Sequence, residues 1–224
     1  MNKKTKEPQY KLLYEVIEKH GATKFGIMAN ESWNQDPKRT LFTLARYKFV
    51  AKMLSGQRKV LEIGCADAFG TRLVQQEVEE ITAVDFDALF IEDAKSRVNP
   101  HWPLTLFVHD MLSGPVPDGP YSAGYCLDVL EHIDPASEDL FISNLLASLD
   151  PFSPVIFGMP SLESQIYASP QSKEGHINCK TGMSLKKTLE KHFKNVFLFS
   201  MNDEVIHTGY YPMAHYLLAL CIKR

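Results

Sequence analysis

Several things are missing from this 224-residue sequence, and each absence removes a class of function. No apolar run approaches the ~20 residues a helix needs to cross a bilayer, and the polar start Met1-Asn2-Lys3-Lys4 leads into no apolar stretch of the signal-peptide kind. A cytoplasmic protein without a membrane span is expected. Basic excess is also missing: 24 Lys and Arg stand against 27 Asp and Glu, a formal net charge of −3, so no field points to nucleic acid or to an anionic membrane surface. Cys65, Cys126, Cys179 and Cys221 are scattered with no paired spacing, which excludes a zinc-finger pattern and a disulfide framework. There is no internal repeat, no low-complexity segment and no full Gly-x-Gly-x-x-Gly, and the last counts against a nicotinamide oxidoreductase.

Apolar content of 45% and charged content of 23% are ordinary for a globular protein, and the length suits one α/β domain. The stretch around which the chain is organised is Val60 to Gly70, VLEIGCADAFG. A short apolar run is followed by a turn of small residues and then by the helical pattern that opens with Phe69-Gly70-Thr71-Arg72-Leu73-Val74, so a strand, a tight turn and a helix are predicted. Backbone at such a junction can approach a ligand closely, and a nucleotide-like ligand is the first expectation. The next strand, Ile81 to Val84, ends in Asp85-Phe86-Asp87, with Asp85 about 20 residues past the turn, the separation at which a carboxylate reaches ribose hydroxyls. A third strand, Leu104 to Val108, ends in His109-Asp110-Met111.

Glu62, Gly64, Ala66 and Ala68, then Asp85, Asp110 and the segment Leu127-Asp128-Val129-Leu130-Glu131-His132-Ile133, resemble the motifs of class I S-adenosylmethionine-dependent methyltransferases, in particular the ubiquinone-pathway O-methyltransferase-like group. The resemblance runs over 58–224 and is strongest before Ile133. It implies that backbone near Gly64 and Ala66 meets the methionine part of S-adenosylmethionine, that Glu62 orders it, and that Asp85 holds the ribose. Asp110 and Met111 would frame the adenine, backbone near Leu127 would receive the amino-acid end, and Cys65, Gly70 and Phe86 would complete the cofactor contacts. S-adenosylhomocysteine would be the product. Ala66 and Ala68 stand where the family has glycine; alanine resists positive φ, so the turn is expected to follow another path, with Gly70 supplying freedom.

The implied fold is α/β, a Rossmann-like, seven-stranded, mostly parallel sheet with a C-terminal antiparallel hairpin and an N-terminal helical cap. Residues 1–56 would form the cap and 57–224 the core of the same domain. Further strands are expected over 121–128, 155–158, 196–199 and 216–222, with no helix between the last two, and helices over 72–78, 89–97, 137–149 and 184–193. In the cap, two helices are read from Leu12, Leu13, Val16 and Ile17 and from Leu41 to Met53, joined by a polar loop over 29–39. Trp33 in that loop is either a packing staple or a lid residue. Lys38, Arg39 and Arg46 are either a solvated face or include the partner of an acceptor carboxylate or phosphate.

Methyl transfer needs alignment and the exclusion of water, and for a hydroxyl acceptor it also needs a base or a metal ion. His132, at the end of the fourth strand, and His176, in the long loop after the fifth, are the base candidates; His132 reads equally as a structural cap. Asp128, Glu131 and His132 also match positions that bind a divalent cation in some ubiquinone-pathway relatives. His207, Tyr210, Tyr211 and His215 line the acceptor pocket or pack the terminal hairpin. The expected activity is methylation of a small molecule or sugar-containing precursor, at oxygen. The alternatives are N-methylation, or a cofactor-binding regulatory or scaffold protein without transfer. Oligomeric state is not legible.

Overall fold

A computed structural model describes residues 5–224. It shows one eight-stranded sheet in the order β3-β2-β1-β4-β5-β8-β6-β7. Strands β1 (Lys59–Ile63), β2 (Glu80–Asp85), β3 (Thr105–Val108), β4 (Ala123–Leu127) and β5 (Pro154–Pro160) pair in parallel. β8 (Tyr216–Lys223) runs antiparallel to both β5 and β6 (Phe193–Asn202). The fold is therefore the Rossmann-like α/β arrangement with antiparallel C-terminal strands, but with eight strands rather than seven. The extra one is β7 (Val205–His207), which folds back on β6 through a tight turn at Asp203, φ 49°. Three residues are too few to show an alternating pattern, so the sequence gives no sign of it.

The central strands are buried almost continuously, because both faces of the sheet are covered, and successive side chains alternate between the two faces. Val60, Ala83 and Tyr125 pack on one face with Val50 of α3 (Pro37–Met53), Leu54 just after it, Val74 of α4 (Thr71–Gln75) and Ile91 of α5 (Ala88–Ser96). Leu61, Val84 and Cys126 pack on the other, with Phe141 and Leu145 of α6 (Glu138–Ala147) and with residues C-terminal to β5. Glu62, sharing the parity of Val60, is thereby aimed at α3 and α4.

The N-terminal part holds α1 (Lys11–His20), α2 (Ile27–Gln35) and α3. The stretch read as a polar loop is mostly α2, a helix with no buried residue of its own. Its stabilisation comes from outside: the Ala29 amide donates to Asp67 Oδ2 at 2.8 Å and the Ile27 amide to Asp93 Oδ2 at 3.3 Å, placing two carboxylates against the helix N-terminus. Asp36 then accepts from the Lys38 amide and Pro37 opens α3. No helix among the described residues is long and apolar enough to cross a membrane.

Candidate functional site

The turn after β1 departs from the expected path in an instructive way. Gly64 has φ +72°, and Ala66 and Ala68 adopt φ 44° and 53°, so the alanines follow the left-handed course rather than avoiding it. Hydrogen bonds hold them there: the Gly64 and Cys65 amides donate to the Val84 carbonyl at 2.8 and 3.1 Å, Ala66 to Asp85 Oδ2 at 2.9 Å, and Ala68 to the Cys65 carbonyl at 2.8 Å. Gly64 also needs its missing side chain, since a Cβ there would lie 2.1 Å from Val129 Cγ2. Gly70 supplies no unusual φ. It stands at −70°, and its role is close approach, because a Cβ would meet the Tyr47 ring at 2.3 Å.

Glu62 is buried and its two oxygens accept from Tyr47 Oη at 2.9 Å and Thr71 Oγ1 at 2.6 Å. Burial pushes its carboxyl up to about 7, opposed by those hydrogen bonds. It thus ties α3 to α4 behind the turn. Cys65 is buried with its thiol pushed far up by burial and by the charges of Glu62 and Asp85, so its backbone and not its sulfur is available for chemistry.

Asp85 is nearly buried at the end of β2, its carboxylate accepting the Ala66 and Asp87 amides, both at 2.9 Å. The next side chain, Phe86, is exposed, and the Asp85 carbonyl accepts the His109 amide, which brings the end of β3 alongside. Asp110 accepts from the Leu112 amide at 2.8 Å; Met111 is buried in the core, and its carbonyl accepts from Asn144. Leu127, also buried, ends β4 between the turn and β5. Gly64, Cys65, Ala66, Asp85, Phe86, Asp110, Met111 and Leu127 therefore sit at neighbouring strand ends. A tight left-handed turn, an acceptor carboxylate beside it and an exposed ring together fit S-adenosylmethionine.

At the end of β4 two groups of polar residues separate. Asp128, at φ 56°, accepts from Arg46 Nη1 with both oxygens, at 3.0 and 2.8 Å, and the guanidinium lies 3.8 Å over the Tyr216 ring. Arg46 is thus not part of a solvated face, its side chain being 16% exposed. Burial works against its charge, but Asp128, Tyr216 and Glu131 together outweigh this and raise its pKa. Lys38 and Arg39 do stay exposed, near Asp36 and Glu31.

The second group is Glu131, His132 and His176, whose ligand atoms lie within 4.8 Å of one another. Asp128, committed to Arg46, is not among them; His176 takes the place expected for it. Glu131 is fully buried, neither carboxylate oxygen has a hydrogen-bond partner among the described residues, and burial and the nearby Asp128 charge push its carboxyl well up. His132 Nδ1 faces the Gly175 carbonyl at 2.9 Å and His176 Nδ1 faces Gln165 Oε1 at 2.8 Å. An oxygen of this kind only accepts, so in each neutral ring Nδ1 carries the hydrogen and Nε2 keeps its lone pair. Burial and the neighbouring His132 lower the His176 pKa, which favours that neutral form. The Asn178 amide, bonded to the Glu131 carbonyl at 2.9 Å, fixes the returning loop.

His215, half-buried, has its ring 5.9 Å from Phe42 on α3, the helix that also carries Arg46, while His207 packs within its own turn against Asn202 and Gly209. Tyr210 and Tyr211 stack at 6.4 Å. Trp33 lies 5.4 Å from Phe25, which meets Phe69 of the cofactor turn at 4.9 Å. Tyr47, Gln165 and Tyr216 are the site neighbours that no local sequence signal marks.

Residues 60–151 match a family model described as a methyltransferase domain. No curated protein sequence matches the chain. Among solved structures, the chain is similar to the putative methyltransferase complexed with the Haloferax volcanii Trm112 methyltransferase activator (TM-score 0.66, 10% identity, covering 90% of this chain and 99% of that one). It is similar to the methyltransferase domain of bacterial CtHen1 (0.65, 18%, 82% and 97%). It is likewise similar to the N-methyltransferase NodS from Bradyrhizobium japonicum WM9 in complex with S-adenosyl-L-homocysteine (0.62, 17%, 94% and 97%). At such identities the likeness is one of fold.

Proposed function

We propose that this S-adenosylmethionine-dependent methyltransferase, recognised by its domain over 60–151, methylates an oxygen of a small molecule or a sugar-containing precursor. The observation that carries the oxygen is the fully buried, unpartnered Glu131 beside two imidazoles that both keep a free Nε2. A hydroxyl must lose its proton as it attacks, and a neutral imidazole takes one near neutral pH.

S-adenosylmethionine brings a methyl group on a sulfonium leaving group. Asp85 would accept from the ribose hydroxyls, Phe86, Asp110 and Met111 would border the adenine, and backbone at Gly64, Ala66 and Leu127 would receive the methionine part. Glu62 acts on the cofactor indirectly, by fixing α3 and α4 behind the turn. As the oxygen–carbon bond forms and the carbon–sulfur bond breaks, the hydroxyl proton passes to Nε2 of His132 or His176. Alternatively, with both Nε2 lone pairs given to a divalent cation held by Glu131, His132 and His176, the charge of that cation would lower the hydroxyl's pKa in place of a histidine base.

A cofactor-binding protein without transfer would have its support in Ala66 and Ala68, which stand where the resembled family has glycine, yet both adopt the glycine-like course. N-methylation would need neither the cluster nor a metal. Titration with S-adenosylhomocysteine, followed by transfer assays on hydroxyl and amine acceptors with and without Mn²⁺, tests the proposal. Transfer to amines alone, unaffected by chelation or by His132→Gln and His176→Gln, would overturn the oxygen reading.

A further inference from the structure

A cavity of about 740 Å³ lies away from the strand ends. It lies under α1 and the 21–24 loop, against α4 and the 97–104 segment, and touches the cofactor turn only at Asp67, Ala68 and Phe69. Its volume is in the range of small-molecule sites. Cationic and polar nitrogen groups line it, among them Arg72, Lys24 and His20.

Arg72 has no carboxylate partner among the described ion pairs; its guanidinium instead lies 3.7 Å over the Trp102 ring. Burial lowers its pKa, so its charge is partly stripped of water without an anion to replace it. His20 Nδ1 is out of solvent and without a hydrogen-bond partner. Asp67, the cavity's one acid among the described residues, is already engaged by the Ala29 and Phe69 amides, and Arg97 by Asp93 and the Asp67 carbonyl. Phe69, Leu73 and Trp102 supply apolar wall beside the polar Thr23, Ser96 and Asn99, and Gln75 fixes Trp102 by donating to the carbonyls of Trp102 and Pro103.

We propose that this cavity is a second binding site, separate from the transfer site, for an anion carried on a flat apolar body: an aromatic carboxylate, sulfonate or phosphate. The anionic group pairs with Arg72 and Lys24, and the ring lies against Trp102 and Leu73. Because Phe69 and Ala68 form one wall, the occupant touches the cofactor turn directly.

The test uses the full chain carrying Trp33→Phe, which leaves Trp102 as its one tryptophan. The probe is 1-anilinonaphthalene-8-sulfonate, read by energy transfer from Trp102. Saturable single-site transfer is expected, with affinity falling at least about fivefold in Arg72→Gln, the loss of one charge-assisted hydrogen bond. A neutral analogue, N-phenyl-1-naphthylamine, should bind more weakly and be insensitive to Arg72→Gln. Circular dichroism and S-adenosylhomocysteine affinity report that the variants are folded. The proposal is overturned by absent transfer from Trp102, by sulfonate affinity unchanged in both Arg72→Gln and Lys24→Gln, or by equal losses for the charged and neutral probes.

Discussion

Restoring glycine at Ala66 and Ala68 should stabilise the protein. Both residues hold left-handed backbone, at φ 44° and 53°, and a Cβ in that region costs about 1–2 kcal/mol per residue. Glycine removes this strain but adds freedom to the unfolded chain, a loss of about 0.4–1 kcal/mol per site. The difference leaves about 0.5–1 kcal/mol at each position, or about 1–2 kcal/mol for Ala66→Gly with Ala68→Gly, provided the amide bonds to Asp85 and to the Cys65 carbonyl persist. For a chain of this size that is a rise in Tm of about 2–8 °C, measurable by calorimetry and by urea titration. The opposite change checks the logic: Gly64→Ala combines φ +72° with a methyl 2.1 Å from Val129 Cγ2 and should destabilise by about 2 kcal/mol or more. S-adenosylhomocysteine should bind the double glycine variant no more tightly, since alanine keeps the turn preorganised. A double variant equal to or less stable than the parent would show that the two alanines carry no strain, and the argument from φ would fail.

Asp85→Ala should weaken S-adenosylhomocysteine binding by about 1–3 kcal/mol by calorimetry, since it removes the charged acceptor beside the turn; unchanged affinity would take Asp85 out of the site. If Glu131, His132 and His176 hold a cation, Mn²⁺ should raise Tm and release protons on binding, more tightly as pH rises because the Glu131 carboxyl starts well above its ordinary range, and Glu131→Gln should abolish the effect; no Tm shift in millimolar Mn²⁺ would count against a metal. Replacing whichever of His132 and His176 serves as base by Gln should lower kcat about 10²- to 10⁴-fold with little change in cofactor affinity, and losses of only a few fold in both would leave alignment as the whole mechanism. Glu62 gives a pH signature: its folded pKa of about 7 exceeds the ordinary 4.5, so its contribution to stability is fully present below pH 4.5 and is lost as pH rises through 7, a swing of about 3 kcal/mol. In Glu62→Gln the fall in Tm between those values should flatten, and an unchanged slope would mean that Glu62 is ionised in the folded protein throughout.

The parts of the molecule legible in the sequence are those set by local pattern. Alternating apolar runs and helical periods lead to a parallel sheet, and the small-residue turn followed by Asp85 leads to the strand ends where the structure gathers the cofactor candidates. The errors are also local in origin. Alanine's intrinsic preference argues against positive φ, but four backbone amides of the turn, bonded to Val84, Asp85 and Cys65, override it. A polar stretch without buried residues reads as loop, but α2 is capped by Asp67 and Asp93, which are brought in by the fold rather than by its own sequence.

The candidate transfer site was legible only by halves, because its pairings join residues far apart in the chain. That Asp128 would be held by Arg46, 82 positions earlier, depends on how α3 crosses the sheet, which no periodicity specifies. The consequence is chemical rather than merely geometric. Once Asp128 is neutralised by a guanidinium it is a poor ligand for a cation, so the cluster shifts to Glu131, His132 and His176, with two imidazoles and one carboxylate instead of two carboxylates and one imidazole. Such a donor set suits Mn²⁺, Zn²⁺ or Fe²⁺ better than Mg²⁺, which prefers oxygen. The pairing of one arginine thus changes which metal the neighbouring residues would favour.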